Sequence, residues 1–186
     1  NRCRRQRQMC IRDRCKIAVK YMTPVMLLTD GYLANGSEPW KIPKVKDLDS
    51  FQVNFADKLN SEDQFLPYLR DEKTLSRPWA IPGTPGLEHR VGGIETEENT
   101  GNVSYDPENH HNMVVARQEK VNRVQDDISQ TEVFGEGSGD LLLLSWGGTY
   151  GACRSAAETL QENGKKVSHV HVRWISPLPK LSLIHI

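Results

Sequence analysis

The sequence predicts an α/β protein, and three stretches carry that prediction. The first is a strand–turn–helix–turn–strand pattern from Leu141 to Trp174. Leu141–Ser145 is a short apolar run, Gly147-Gly148-Thr149 a turn, Tyr150–Asn163 a helix, Gly164 its stop and Val167–Trp174 a second strand, which together make a βαβ unit. Its strands are expected to be parallel, joined by a right-handed crossover. The second stretch is another apolar run, Pro24–Thr29, which ends at Asp30-Gly31 and reads as a buried parallel strand. The third runs from Asn109 to Ser129, where Val114, Val121, Val124 and Ile128 recur at helical steps between Arg117, Glu119, Lys120, Arg123 and Asp126. That is an amphipathic helix.

Within the βαβ helix, Tyr150, Cys153, Ala157 and Leu160 share one face, and Gly164 supplies the left-handed terminus that a β-carbon resists. Pro177 and Pro179 end the segment that follows. Between the first apolar run and residue 60, Asn35-Gly36-Ser37-Glu38-Pro39 and Ile42-Pro43 punctuate a polar stretch, expected to be irregular or briefly helical. From Thr74 to about Asn109, prolines and glycines recur without periodicity. A loop this long is functional or disordered. Trp79, Ile81, Leu87, Val91 and Ile94 within it favour an ordered loop with residues to bury. Gly135, Gly137 and Gly139 read as a flexible joint.

Both ends are expected to be foreign to the fold. Residues 1–14 are Arg-rich, and Met9–Arg14 can be encoded ATG TGT ATA AGA GAC AGN. Leu181–Ile186 can be encoded CTG TCT CTT ATA CAC ATC, the reverse complement in a shifted frame. Together they are similar to a sequencing-library adapter, which explains the Arg run better than a targeting segment does. Setting these ends aside removes six Arg and one Asp, which leaves 18 basic against 23 acidic side chains. The apparent neutrality of the chain becomes an acidic balance, which argues against a nucleic-acid partner. Of four cysteines only Cys153 lies well inside, so neither a disulfide framework nor a cysteine metal motif is available. No apolar run approaches the ~20 residues that span a bilayer. A cytoplasmic protein with no membrane partner is the expectation.

Chemistry-bearing groups are sparse. Gly135-Glu136-Gly137-Ser138-Gly139 precedes a strand and Gly164-Lys165-Lys166 follows a helix, so neither can present phosphate to a helix N-terminus. Gly147-Gly148-Thr149 does open a helix; capping by Thr149 explains it as well as a bound anion does. His110-His111 lacks a third ligand nearby. His169 and His171 share one strand face, where a metal would need ligands from elsewhere, so no metal site is assigned. Glu88-His89-Arg90, in the Gly/Pro-rich loop, offers an acid, a base and a carboxylate clamp. The alternative is an exposed polar patch. No nucleophile with its base can be assigned, and the catalytic residues remain unknown.

Four segments in order, TPVMLLTDGYLANGSEPWKIP (Thr23–Pro43), RPWAIPGTPGLEHRVGGIETEENTGNVSYDPENH (Arg77–His110), LLLLSWGGTYG (Leu141–Gly151) and VSHVHVRWISPLP (Val167–Pro179), resemble the alpha subunit of 2-oxoglutarate:ferredoxin oxidoreductases. The resemblance implies a thiamine diphosphate enzyme that decarboxylates 2-oxoglutarate or a related 2-oxoacid, with the acyl group passing to coenzyme A and electrons to ferredoxin. It implies a hetero-oligomer in which a beta subunit holds the diphosphate, its magnesium and the iron–sulfur cluster. It also implies a domain order. Residues 15–60 would close a pyrimidine-binding domain, 61–135 would be a long loop with a connecting helix, and 136–180 would begin a transketolase C-terminal-like domain. Residues 1–14 and 181–186 would lie outside the native protein. Such a fragment is inactive alone, and Glu88, His89 and Arg90 are the expected substrate- or coenzyme A-binding residues, with Arg90 holding a carboxylate or phosphate and His89 donating a hydrogen bond. Two other readings share these features: the beta chain of a lipoamide-linked 2-oxoacid dehydrogenase, and a non-catalytic subunit-docking module.

Overall fold

The computed structural model describes residues 2–31, 35–37, 42, 44, 46 and 52–179, with side chains from Ile11 onward. The chain divides into two compact units, Asn1–Val25 with Lys41–Val124, and Met26–Trp40 with Gln125–Ile186. Helices α1 (Arg2–Tyr21) and α2 (Pro107–Arg123) belong to the first, with the two-residue strands β1 (Phe55–Ala56) and β2 (Trp79–Ala80) paired in parallel. The second holds β3 (Val133–Phe134), β4 (Leu141–Trp146), α3 (Tyr150–Glu162) and β5 (Val167–Val172), its sheet ordered β3-β5-β4.

In the first unit, α1 runs straight through residues 2–14, which sequence reasoning set aside. Arginine is a good helix former, so an Arg-rich stretch extends a helix whatever its origin. Ile17 and Tyr21, one turn apart, are buried. The Tyr21 hydroxyl donates to the Arg123 carbonyl at 3.1 Å, and the Trp79 indole N–H donates to the Val19 carbonyl at 3.0 Å. Helix α2 begins two residues earlier than expected, because Asp106 caps it by accepting from the Glu108 and Asn109 amides and Pro107 occupies the first helical position.

Its buried stripe is Met113, Lys120 and Val124. Of the four residues expected on the apolar face, Val124 and Ile128 are buried, Val121 is half-buried and Val114 is exposed. Lysine can lay its aliphatic stem along an apolar face, so the inward stripe includes a residue that hydrophobic counting leaves out.

The loop between β1 and α2 is ordered by its own hydrogen bonds. Tyr68 donates from its amide to the Asn99 carbonyl, and Thr96 pairs with Val103. Of the five residues expected inside it, Leu87 is buried and Trp79 half-buried, whereas Ile81, Ile94 and Val91 (83 % exposed) face outward. Phe65 and Thr96 supply the buried side chains instead.

The βαβ unit of the second body forms as the sequence predicts. Leu141 pairs with Val167 and the register continues to Trp146 with Val172, parallel throughout. Ala157 is fully buried on the expected face of α3, and Gly164 ends the helix at φ +74°. Gly135 and Gly139 are no loose joint. A β-carbon at Gly135 would meet Gln161 Nε2 at 2.7 Å and Ser168 Oγ at 2.8 Å, and one at Gly139 would stand 2.5 Å from the Lys166 carbonyl oxygen. Their lack of a side chain lets the chain approach β5 closely enough for β3 to pair antiparallel with it.

Pro24–Thr29 is a correction. No strand forms there, and Met26 is 80 % exposed with Leu27 and Leu28 also outside. A parallel strand requires a neighbour to bond to, and among the described residues none lies alongside. Beyond it Gly31 and Asn35 are helical, joined by a 2.8 Å bond from Asn35 Nδ2 to the Gly31 carbonyl. Pro39 and Pro43, expected to punctuate the following stretch, lie outside the described residues.

Candidate functional site

The Glu88-His89-Arg90 loop is set up by the turn before it. Thr84 donates to the Ile81 carbonyl from both its amide (3.1 Å) and its hydroxyl (2.8 Å), and the Leu87 amide donates to the Thr84 carbonyl. Leu87, buried, anchors the start of the triplet. His89 Nδ1 lies 2.7 Å from the Leu87 carbonyl, and its ring sits 5.3 Å from that of Phe65. A carbonyl only accepts, so Nδ1 carries the hydrogen. In the neutral ring Nε2 is then an acceptor, and His89 donates to a ligand only as imidazolium. Glu88 and Arg90, on either side, are exposed. The triplet thus offers a fixed ring between two free-standing charges of opposite sign.

In the second unit the strand register brings Ser145 opposite His171. Ser145 Oγ lies 2.7 Å from His169 Nε2 and 2.9 Å from His171 Nδ1. Tyr150, at the start of α3, packs its ring 5.1 Å from His171 and 5.7 Å from His169. Burial lowers both imidazole pKa values, helped at His169 by Arg154 and at His171 by His169 and Arg173. With both rings neutral, Ser145 donates to one and accepts from the other, which fixes complementary tautomers. Period-two patterning placed the two histidines on one face; Ser145 joins them only through the strand pairing, which a single sequence does not reveal.

The Gly147-Gly148-Thr149 turn behaves differently from either expectation. Thr149 donates its hydroxyl back to the Trp146 carbonyl at 2.7 Å and does not cap the helix. The Asp30 carboxylate lies against Gly148 so closely that a β-carbon there would collide with it. The chain's own anion therefore faces the positive end of α3.

His110 bonds through Nδ1 to Glu95 at 2.5 Å, and Arg117 grips the same carboxylate with two bonds of 3.2 Å. These bonds, Arg117 first, hold the Glu95 pKa down at about 2. Among the described residues no group of three or more His, Cys, Asp and Glu side chains could hold a metal ion. Those described residues therefore do not fit the magnesium of a thiamine diphosphate.

The family described as pyruvate flavodoxin/ferredoxin oxidoreductase, thiamine diphosphate-binding, matches residues 11–108. The 2-oxoglutarate oxidoreductase subunit KorA of Mycobacterium tuberculosis is 46% identical over 165 residues, covering 88% of this chain and 24% of that protein. Subunit alpha of the 2-oxoacid:ferredoxin oxidoreductase 1 of Aeropyrum pernix is 27% identical, covering 88% of this chain and 25% of its own length. Among solved structures, a 2-oxoglutarate:ferredoxin oxidoreductase from Magnetococcus marinus, with 2-oxoglutarate, coenzyme A and succinyl-CoA bound, is similar at a TM-score of 0.73 and 34% identity, over 88% of this chain and 28% of that one. The chain spans about a quarter of the length of these relatives. With the family match extending over more than half of its residues, the chain belongs to the pyruvate flavodoxin/ferredoxin oxidoreductase thiamine diphosphate-binding family.

Proposed function

We propose that the chain is an internal portion of the alpha subunit of a 2-oxoacid:ferredoxin oxidoreductase, acting in the oxidative decarboxylation of 2-oxoglutarate or a related 2-oxoacid to an acyl-CoA with electrons delivered to ferredoxin. The observation that carries this reading is the 46% identity to a 2-oxoglutarate oxidoreductase subunit across 88% of the chain. Thiamine supplies the electron sink for decarboxylation, and the protein supplies binding and orientation. A beta subunit completes the enzyme, holding the diphosphate, its magnesium and the iron–sulfur cluster. Residues 15–60 then close the pyrimidine-binding domain and 136–180 open the transketolase C-terminal-like domain, with 61–135 between them and 1–14 and 181–186 adapter-derived. The setting is cytoplasmic; no described helix is long and apolar enough to cross a membrane.

Within this enzyme Glu88, His89 and Arg90 line a substrate or coenzyme A pocket. Arg90 clamps a carboxylate or phosphate through its guanidinium fork, and His89, held by the Leu87 carbonyl, presents Nε2. In the full-length enzyme Arg90→Ala raises KM for 2-oxoglutarate or for coenzyme A by about tenfold with kcat little changed, as loss of a uniform binding contact requires. Unchanged KM for both substrates removes the loop from the pocket.

A further inference from the structure

The proposed function leaves one buried polar group unused, the Ser145, His169 and His171 triad on the face of β4 and β5 that Tyr150 covers. Ser145 is 5 % and His169 2 % exposed, whereas His171 is half-buried near the end of β5. Ser145 Oγ stands between two ring nitrogens, 2.7 Å from His169 Nε2 and 2.9 Å from His171 Nδ1, and the two ring centroids are 6.2 Å apart. Tyr150 closes the group from the first turn of α3, its ring against both imidazoles.

The charges around the triad do not favour an imidazolium. Arg154, one turn further along α3, lies over the Phe134 ring and is paired with Glu158 at 2.7 Å. The register of β3 sets Phe134 beside His169, and Val133 and Phe134 bring no titratable group. Arg173 follows β5, and the Asp30 carboxylate lies against Gly148, in the turn before Tyr150. Burial lowers both imidazole pKa values, with Arg154 adding at His169, and His169 and Arg173 adding at His171.

The triad has room for one proton and not for two. Ser145 has a single hydroxyl hydrogen, so one facing nitrogen accepts it and the other donates to Oγ. His171 is the ring that reaches solvent, so it takes the first proton. With His171 Nδ1–H donating to Oγ, that proton enters at Nε2, outside the triad, and both bonds survive. The second proton enters at His169 Nε2, the lone pair that accepts the Ser145 hydrogen. Both facing nitrogens are then donors, the buried hydroxyl hydrogen has no acceptor within the triad, and two cations stand side by side.

We propose that Ser145, His169 and His171 form an acid-sensitive latch, which holds the first turn of α3 against β4 and β5 while His169 is neutral and lets it go when His169 is protonated beside an already charged His171. The open form binds more protons than the closed one. The latch is therefore held above the ordinary imidazole pKa of about 6.5 and weakens as pH falls below it.

The test is hydrogen exchange of the full-length protein read by mass spectrometry from pH 7.5 to pH 5, each rate corrected for the intrinsic pH dependence of exchange. Wild-type protection over residues 141–162 is expected to fall by about tenfold per pH unit below pH 6.5, as uptake of one proton on opening requires, while α2 in the first unit stays protected. His169→Gln, with an uncharged amide in place of Nε2, should make the protection independent of pH. His171→Asn should do the same although His169 remains, because the new side-chain carbonyl accepts the hydroxyl hydrogen and leaves Oγ to accept from a charged His169. The proposal is overturned if wild-type protection is unchanged down to pH 5, if α2 opens together with α3, or if either folded variant keeps the wild-type slope. Retention of that slope in His171→Asn would assign the acid sensitivity to the burial of His169 alone.

Discussion

Glu95 is the acceptor on which His110 and Arg117 both depend. Its carboxyl is held down at about 2 against an ordinary 4.5, so the ionised form is stabilised in the folded chain. A carboxylate with a depressed folded pKa adds stability above its unfolded pKa, and that stability is lost as pH falls through the folded one. The window is therefore from about pH 4.5 down to about 2. Because Arg117 and His110 are largely exposed, solvent screening limits the contribution to about 1 kcal/mol. Glu95→Gln should lower Tm at pH 7, and the gap from wild type should close by pH 2; a gap independent of pH would mean that packing, not charge, is at stake.

At this scale the sequence reveals what is local. Glu88, His89 and Arg90 are adjacent and could be picked out together, whereas Glu95 finds Arg117 across 22 positions. Lys120 was legible only as a charge on an amphipathic helix. It is buried on the same stripe as Met113 and Val124, and its charge hides it from hydrophobic counting.

Helix α2 owes its beginning to Asp106 and Pro107, a cap and first-turn pair that hydrophobic periodicity alone passes over. Asp106→Ala removes the acceptor for two amides and should destabilise the folded chain by about 1 kcal/mol, read as a lower midpoint in urea unfolding. No change in midpoint would show that the helix start is held by Asn109, whose side chain bridges the Thr96 carbonyl and the Glu98 amide.

The order and parallel pairing of the βαβ unit were legible because each of its parts carries its own signal, from the leucine run to Gly164, although the second strand ends at Val172, short of the expected Trp174. The Pro24–Thr29 run had the composition of a strand and no partner to pair with. Strand β3 was missed for the opposite reason: two residues are too few for a pattern, and their pairing depends on close approach at Gly135.

At the scale of the whole molecule, the chain spans about a quarter of the length of the Mycobacterium tuberculosis and Aeropyrum pernix relatives and folds as two units, with apolar segments such as Met26–Leu28 facing outward. The ordered segments Thr23–Pro43, Arg77–His110, Leu141–Gly151 and Val167–Pro179 identified the family from sequence because they are long and collinear. The residues that perform the chemistry were not legible, because no nucleophile with its base and no metal-ligand spacing stands in this part of the sequence. On the proposed function, this chain works as part of a thiamine-dependent, two-subunit 2-oxoacid oxidoreductase. The direct measurement is ferredoxin reduction by the full-length subunit, purified with and without its beta partner. Reduction is expected only when 2-oxoglutarate or another 2-oxoacid, coenzyme A, thiamine diphosphate and the partner are present together. Reduction by the alpha subunit alone, or an assembled pair that passes electrons to NAD through lipoyl groups and leaves ferredoxin oxidised, would contradict it.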